Sequence, residues 1–235
     1  MVFGNFIVPF TTLGCLYFCS VFQICSFIVM KKWISLYDLC PVGSATRNDG
    51  TVRITAMAYL KNSPDNAQQM EKQLLRTSEY ILLRGKHGGG YRGLLRDVNV
   101  CAASRITGQA IEDLYDGVSK VYRQNAVFLM NVVTLNELRR ALGADAHDWI
   151  TSRRDGSLLL TDKPVMLCNA MPFIRKGNVP ILLGDFSKVS IKDCGRDEMQ
   201  QEPSNGNDNV LVCTMTGYMN CMLEDKQAIW GLKIT

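Results

Sequence analysis

The segment from Ser63 to Arg84 constrains this chain most. Ser63 is placed to cap a helix, Pro64 suits its first position and Asp65 brings negative charge to its first turn. Ala67, Met70, Leu74, Ser78 and Ile81 then recur at three- and four-residue steps and line one face. Arg84 falls in the last turn, and Gly85 can take the left-handed position that ends a helix. Such a helix is about 30 Å long at 1.5 Å per residue. In a chain of 235 residues that is enough to run across the molecule as a spine.

On either side of it the pattern changes period. Residues 51–60 (TVRITAMAYL) carry β-branched and aromatic residues and read as a strand. A second helix is expected from Thr107 to Gln124, with Ile106 before the cap and Ile111, Leu114, Val118 and Val121 as its stripe. Residues 125–130 read as a buried strand. Thr134, with Glu137 three residues on, reads as a capping box opening a third helix packed through Leu135, Leu138 and Leu142 and ended by Gly143. Short strands are expected at 157–160, 165–169, 180–183 and 187–192. A polar loop or hairpin tip follows over 196–209, and final strands over 210–216 and 227–234. Strands mixed with a few helices, without strict alternation, indicate an α+β fold.

The first 30 residues contain no Asp, Glu, Lys or Arg. Residues 6–30, followed by Lys31 and Lys32, are apolar enough to cross a bilayer as a helix, with the lysines favouring a cytoplasmic C-terminal side. A buried apolar segment turned at Pro9 or Gly14 is a second reading. A third is a segment foreign to the fold, from a shifted frame or a wrong start. A signal peptide fits less well, because no basic residue precedes the run and no small-residue cleavage site follows it.

Residue chemistry argues against an active site. The nine cysteines (Cys15, Cys19, Cys25, Cys40, Cys101, Cys168, Cys194, Cys213 and Cys221) form no C-x-x-C pair, and their odd, scattered spacing is not that of a secreted disulfide framework. They read as reduced thiols acting as small apolar residues, Cys168 and Cys213 most clearly. Neither His87 nor His147 has metal-ligand spacing to a cysteine, so no zinc site is expected. The glycine-rich run 85–93 (GKHGGGYRG) follows a helix C-terminus, the wrong dipole end for a phosphate, and reads as a turn. His147 reads as a surface histidine. Asp185 reads as a turn aspartate bonding nearby amides. Glu112 and Asp113 read as charges favoured near a helix start. No catalytic, cofactor or metal residues are assigned, and the chain is not expected to be an enzyme. The net charge of +4 is too mild to mark a dedicated nucleic-acid binder.

The C-terminal two-thirds carry an ordered string of motifs. These are Asn125-Ala-Val-Phe-Leu-Met-Asn131 with Thr134-Leu and Leu138-Arg, Gly156-Ser-Leu-Leu-Leu160 with Lys163-Pro-Val165, and Met171-Pro172. Pro180-Ile-Leu-Leu-Gly-Asp-Phe-Ser187 is the most specific, and Asp193 and Gln227-Ala-Ile-Trp-Gly-Leu-Lys-Ile234 follow. Upstream, residues 69–95 complete the order. Together they resemble the major capsid proteins of tailed phages, the Hong Kong 97 type fold.

That resemblance implies an α+β subunit with a long spine helix. It implies a peripheral domain of residues 51–95 plus 209–235, an axial domain of residues 96–208, and an atypical apolar segment, residues 1–50, in place of the family's arm and extended loop. It implies a phage or prophage shell of pentamers and hexamers, a homo-oligomer enclosing double-stranded DNA through non-specific contact. Scaffold, portal or decoration proteins would be further partners, no membrane partner is expected, and the location would be the virion, assembled in host cytoplasm. The alternatives are an encapsulin-type compartment, which shares the fold, and a membrane-anchored protein held through residues 6–30. Two departures stand out. The family's arginine near Gly217 is missing, and Thr161-Asp162 replaces the glycine of a tight turn. No residue here matches the family's crosslinking lysine, so no such chemistry is carried over.

Overall fold

The computed structural model describes residues 42–44, 50–85, 91–204 and 207–235. The expectations for residues 6–30, for Cys15, Cys19, Cys25 and Cys40, and for the centre of the glycine-rich run, His87 included, lie outside these residues.

Two sheets and a long helix make the architecture. The first sheet has five strands: β1 (Val42–Ser44), β2 (Val52–Lys61), β9 (Val189–Arg196), β10 (Gln200–Ser204) and β11 (Asn207–Leu223). The 17-residue β11 is its axis. β2 runs antiparallel along one side of it, from Val52 opposite Met219 to Lys61 opposite Val210. On the other side lie β10 and β9, and β1 adds parallel to β9.

The second sheet has seven strands in the order β3 (Asn99–Ala103), β12 (Ile229–Ile234), β8 (Ile181–Gly184), β4 (Val127–Met130), β7 (Lys163–Leu167), β6 (Leu158–Leu160) and β5 (Ile150–Ser152). Helices α1 (Asn66–Arg84), α2 (Leu94–Asp97), α3 (Gly108–Gly117), α4 (Val132–Leu142) and α5 (Ala146–Trp149) complete the described chain. Among the described residues, no helix is long and apolar enough to cross a membrane.

Alternation in the central strands explains how the sheets share one molecule. In β4, Phe128 and Met130 face one core and Leu129 the other; in β8, Ile181 and Leu183 oppose Leu182. All four residues of β8 are buried, as a strand covered on both faces requires. One core joins Leu129, Leu182 and Ile229 to α1 and the inner face of the five-stranded sheet. The other packs α3 and α4 onto the opposite face through Ile111, Leu114, Leu135 and Leu138.

Several local expectations need correction. α1 begins at Asn66, not Ser63: the Ser63 carbonyl accepts from the Asn66 amide at 3.2 Å and its hydroxyl from the Asp65 amide at 3.3 Å, forming a separate turn before the helix. The buried stripe is rotated to Asn66, Met70, Leu74, Ser78 and Leu82, leaving Ala67 exposed and Ile81 half-buried. α3 stops at Gly117 and does not continue to Gln124. Arg123 donates to the carbonyls of Asp116 at 2.9 Å and Val118 at 2.8 Å, closing the helix end and leaving Val121 81% exposed. α4 opens at Val132, because Asn131, not Thr134, caps it by accepting from the Val133 amide at 3.0 Å. Thr134 is instead buried in the helix. The expected polar loop at 196–209 is largely strand among its described residues: Arg196 ends β9, residues 200–204 form β10 and residues 207–209 open β11.

Sheet membership cuts across the expected domain bounds. β12, residues 229–234, bonds to β3 and β8, whereas β9 and β10, residues 189–204, bond to β11.

Candidate assembly surfaces

The motif residues serve as joints between elements. Gly184 ends β8 where the chain meets the entry to β12: a Cβ there would lie 2.6 Å from the Ile229 Cα and collide with the Ala228 carbonyl oxygen. The next residue, Asp185, donates its amide to the same Ala228 carbonyl at 3.0 Å. Its buried side chain accepts from the Ser187 amide at 3.0 Å and the Asn125 side chain at 3.4 Å. Asp185 is therefore the turn aspartate the sequence suggested, and the Gly-Asp pair clamps three segments together. At Gly217 the contact is milder: a Cβ there would sit 3.1 Å from the Leu74 Cδ2 on α1, which would have to give by a few tenths of an ångström.

Asp193 and Glu71 flank Arg196 at 3.5 Å and 3.0 Å, tying β9 to the helix surface. Thr161 and Asp162 both adopt positive φ, 48° and 65°, in the two-residue β6–β7 turn. This is the region that glycine or asparagine fills without strain.

Thiols and hydroxyls are placed for packing. Cys168 and Cys213 are fully buried, and the five described cysteines are unpaired. Burial, with the nearby Glu79 carboxylate, pushes the Cys168 thiol up to about 12. Burial does the same to Cys221, also to about 12, and raises Tyr91 beside it. These groups are held neutral and unreactive. His147 is exposed. Glu112 and Asp113 lie inside α3, where Asp113 accepts from Gln109 at 2.9 Å.

A shallow pocket of about 350 Å3 lies between α3 and the β6–β7 turn, lined by Gln109, Ile111, Glu112, Tyr115, Asp116 and Thr161. Among the described residues no group of His, Cys, Asp or Glu side chains could hold a metal ion.

Surface apolar residues are instead distributed. Met57 and Tyr59 stand out on β2, 57% and 69% exposed. Tyr80, stacked under the Arg84 guanidinium at 4.4 Å, lies on the outer side of α1. Val100, Val133, Phe173 and Met222 are scattered over other elements.

Comparison with known proteins gives this architecture its class. The phage capsid family matches residues 67–234, from the first turn of the spine helix to the last strand, and the chain belongs to that family as a capsid shell subunit. No curated protein matches the chain. Among solved structures, the chain is similar to the capsid of an empty GTA particle (16% identity, TM-score 0.61, covering 97% of this chain and 95% of that one). It is also similar to a structure from Gordonia phage Cozz (11% identity, TM-score 0.60, covering 97% and 98%). A third is the holo-SrpI encapsulin complex from Synechococcus elongatus PCC 7942 (12% identity, TM-score 0.56, covering 98% and 92%). At these identities the solved structures establish the Hong Kong 97 type α+β fold.

Proposed function

We propose that many copies of this chain close into an icosahedral phage or prophage shell of pentamers and hexamers around double-stranded DNA. The observation that carries this reading is the span of the family match, which includes the spine helix and strands of both sheets. In such a shell, repeated use of one subunit spreads binding energy over broad surfaces, and a body built on two hydrophobic cores suits that role. The role is structural and not enzymatic. A net charge of +4 suits loose, sequence-independent contact with DNA. Scaffold, portal or decoration proteins are further partners, and assembly takes place in the host cytoplasm.

The peripheral and axial labels are best drawn by sheet. The peripheral domain takes α1 with the five-stranded sheet. The axial domain takes the seven-stranded sheet with α3 and α4, and so gains residues 229–234.

Similarity to an encapsulin supports a second reading, a compartment loaded with protein. Cargo separates the two. Particles purified after nuclease treatment are extracted and analysed for nucleic acid and for co-purifying protein. Protected double-stranded DNA in particles from the native host supports the phage reading. A stoichiometric enzyme with no protected DNA overturns it in favour of the compartment.

A further inference from the structure

The strand β2 presents an unusual edge. One side pairs with β11 over ten residues without a break in register, and no strand lies against the other side among the described residues. The remaining outer strands, β1, β3, β5 and β10, are three to five residues long. β10 is also protected by Glu202, by Pro203 and by a register shift after Pro203, devices that stop edge pairing. β2 has no proline and no irregularity. A long regular edge of this kind is a template for another strand.

The outward row of β2 indicates which strand. Arg53, Thr55, Met57, Tyr59 and Lys61 share the exposed face. Its two large apolar side chains lie on either side of Ala58. An antiparallel copy of β2 related by a two-fold axis through Ala58 sets Met57 of each copy against Tyr59 of the other. The same register pairs residues 55–61 of the two copies, sets Lys61 against Thr55 and leaves Arg53 beyond the paired span, so no like charges meet directly. A two-fold axis through Met57 would instead set Arg53 against Lys61, which like-charge repulsion disfavours.

We propose that β2 pairs with β2 of a second copy, antiparallel and centred on Ala58, joining two five-stranded sheets across a local two-fold axis. This rests on the shell reading above. The paired span of residues 55–61 is about 23 Å long at roughly 3.3 Å per residue. Its pairing covers on the order of a few hundred Å2 per partner, well under the roughly 800 Å2 of a stable interface. The contact therefore does not hold a dimer alone and acts as one of several in the assembly.

The test uses the full chain, with particles followed by sedimentation and negative-stain microscopy. Chains carrying Met57→Cys are co-assembled with chains carrying Tyr59→Cys and oxidised, and non-reduced peptides are read by mass spectrometry. The expected result is a disulfide joining positions 57 and 59 of different copies. The double variant Met57→Lys with Tyr59→Lys should lose particles while keeping the parent's circular dichroism and thermal midpoint. Met57→Lys with Tyr59→Glu should regain them, because the two-fold register sets opposite charges together.

Particles of the lysine pair at the parent's yield, no 57–59 link within particles, or a link from either position to another segment would each overturn the proposal while leaving the shell reading intact. A parent chain that stays monomeric removes the shell reading and this contact with it.

Discussion

Thr161 is the residue whose backbone is most at odds with its side chain. A β-branched residue at φ 48° is held there by the two-residue turn and by its hydroxyl donating to the Leu160 carbonyl at 2.7 Å. Replacing the pair by Thr161→Asn with Asp162→Gly should stabilise the fold by about 1 kcal/mol, read as a higher urea midpoint with an unchanged slope. Gly184→Ala acts in the opposite sense. Its Cβ collides with backbone that cannot move without breaking the β8–β12 joint, so a loss of about 3 kcal/mol or more is expected, or failure to fold.

Both residues stood out in the sequence as part of a motif or as a departure from one. What the sequence could not carry is the reason for them. The contact between Gly184 and Ala228 joins segments far apart in the chain, and no local pattern encodes it. The contact of Gly217 with Leu74 is similar in kind, joining β11 to α1 across the chain.

At the scale of elements, the spine helix and the strands were legible because their periodicity reports one buried face. Boundaries were lost where a tertiary contact overrides the period. Val121 continues the α3 stripe in sequence but lies beyond the Arg123 bonds that end the helix. The Ser63-Pro64-Asp65 signal marked a turn just before α1, one step from where the helix opens. Leu74, fully buried between α1 and β11, should cost about 3 kcal/mol when changed to Ala, whereas Leu75→Ala, more than a third exposed, should cost under about 1 kcal/mol.

A pH test belongs to the joint before β12. The Tyr122 hydroxyl donates to the Asp225 carboxylate at 2.6 Å and the Gln227 amide donates at 2.8 Å, holding that carboxyl below the usual carboxylate range. The stabilisation is present above pH about 4 and is lost as pH falls through the lowered folded value. Tyr122→Phe should therefore flatten the acid limb of the stability curve measured by urea titration between pH 5 and 2. An unchanged limb would show that the bond does not set the carboxyl.

At the scale of the whole molecule, the resemblance was legible because an ordered series of weak motifs runs through both sheets, and the family match over residues 67–234 bears it out. The assignment of strands to sheets was not legible. The bounds implied by the resemblance put residues 209–235 in one domain, yet β12 leaves β11 and joins β3 and β8. That crossing carries the chain from one sheet into the other. As a member of the phage capsid family, this body is a shell subunit. Cryo-electron microscopy of the full chain purified from its expression host tests that role most directly. The expected result is closed particles whose repeating density holds the long helix and both sheets. A single species with the mass of one subunit at every concentration would contradict it.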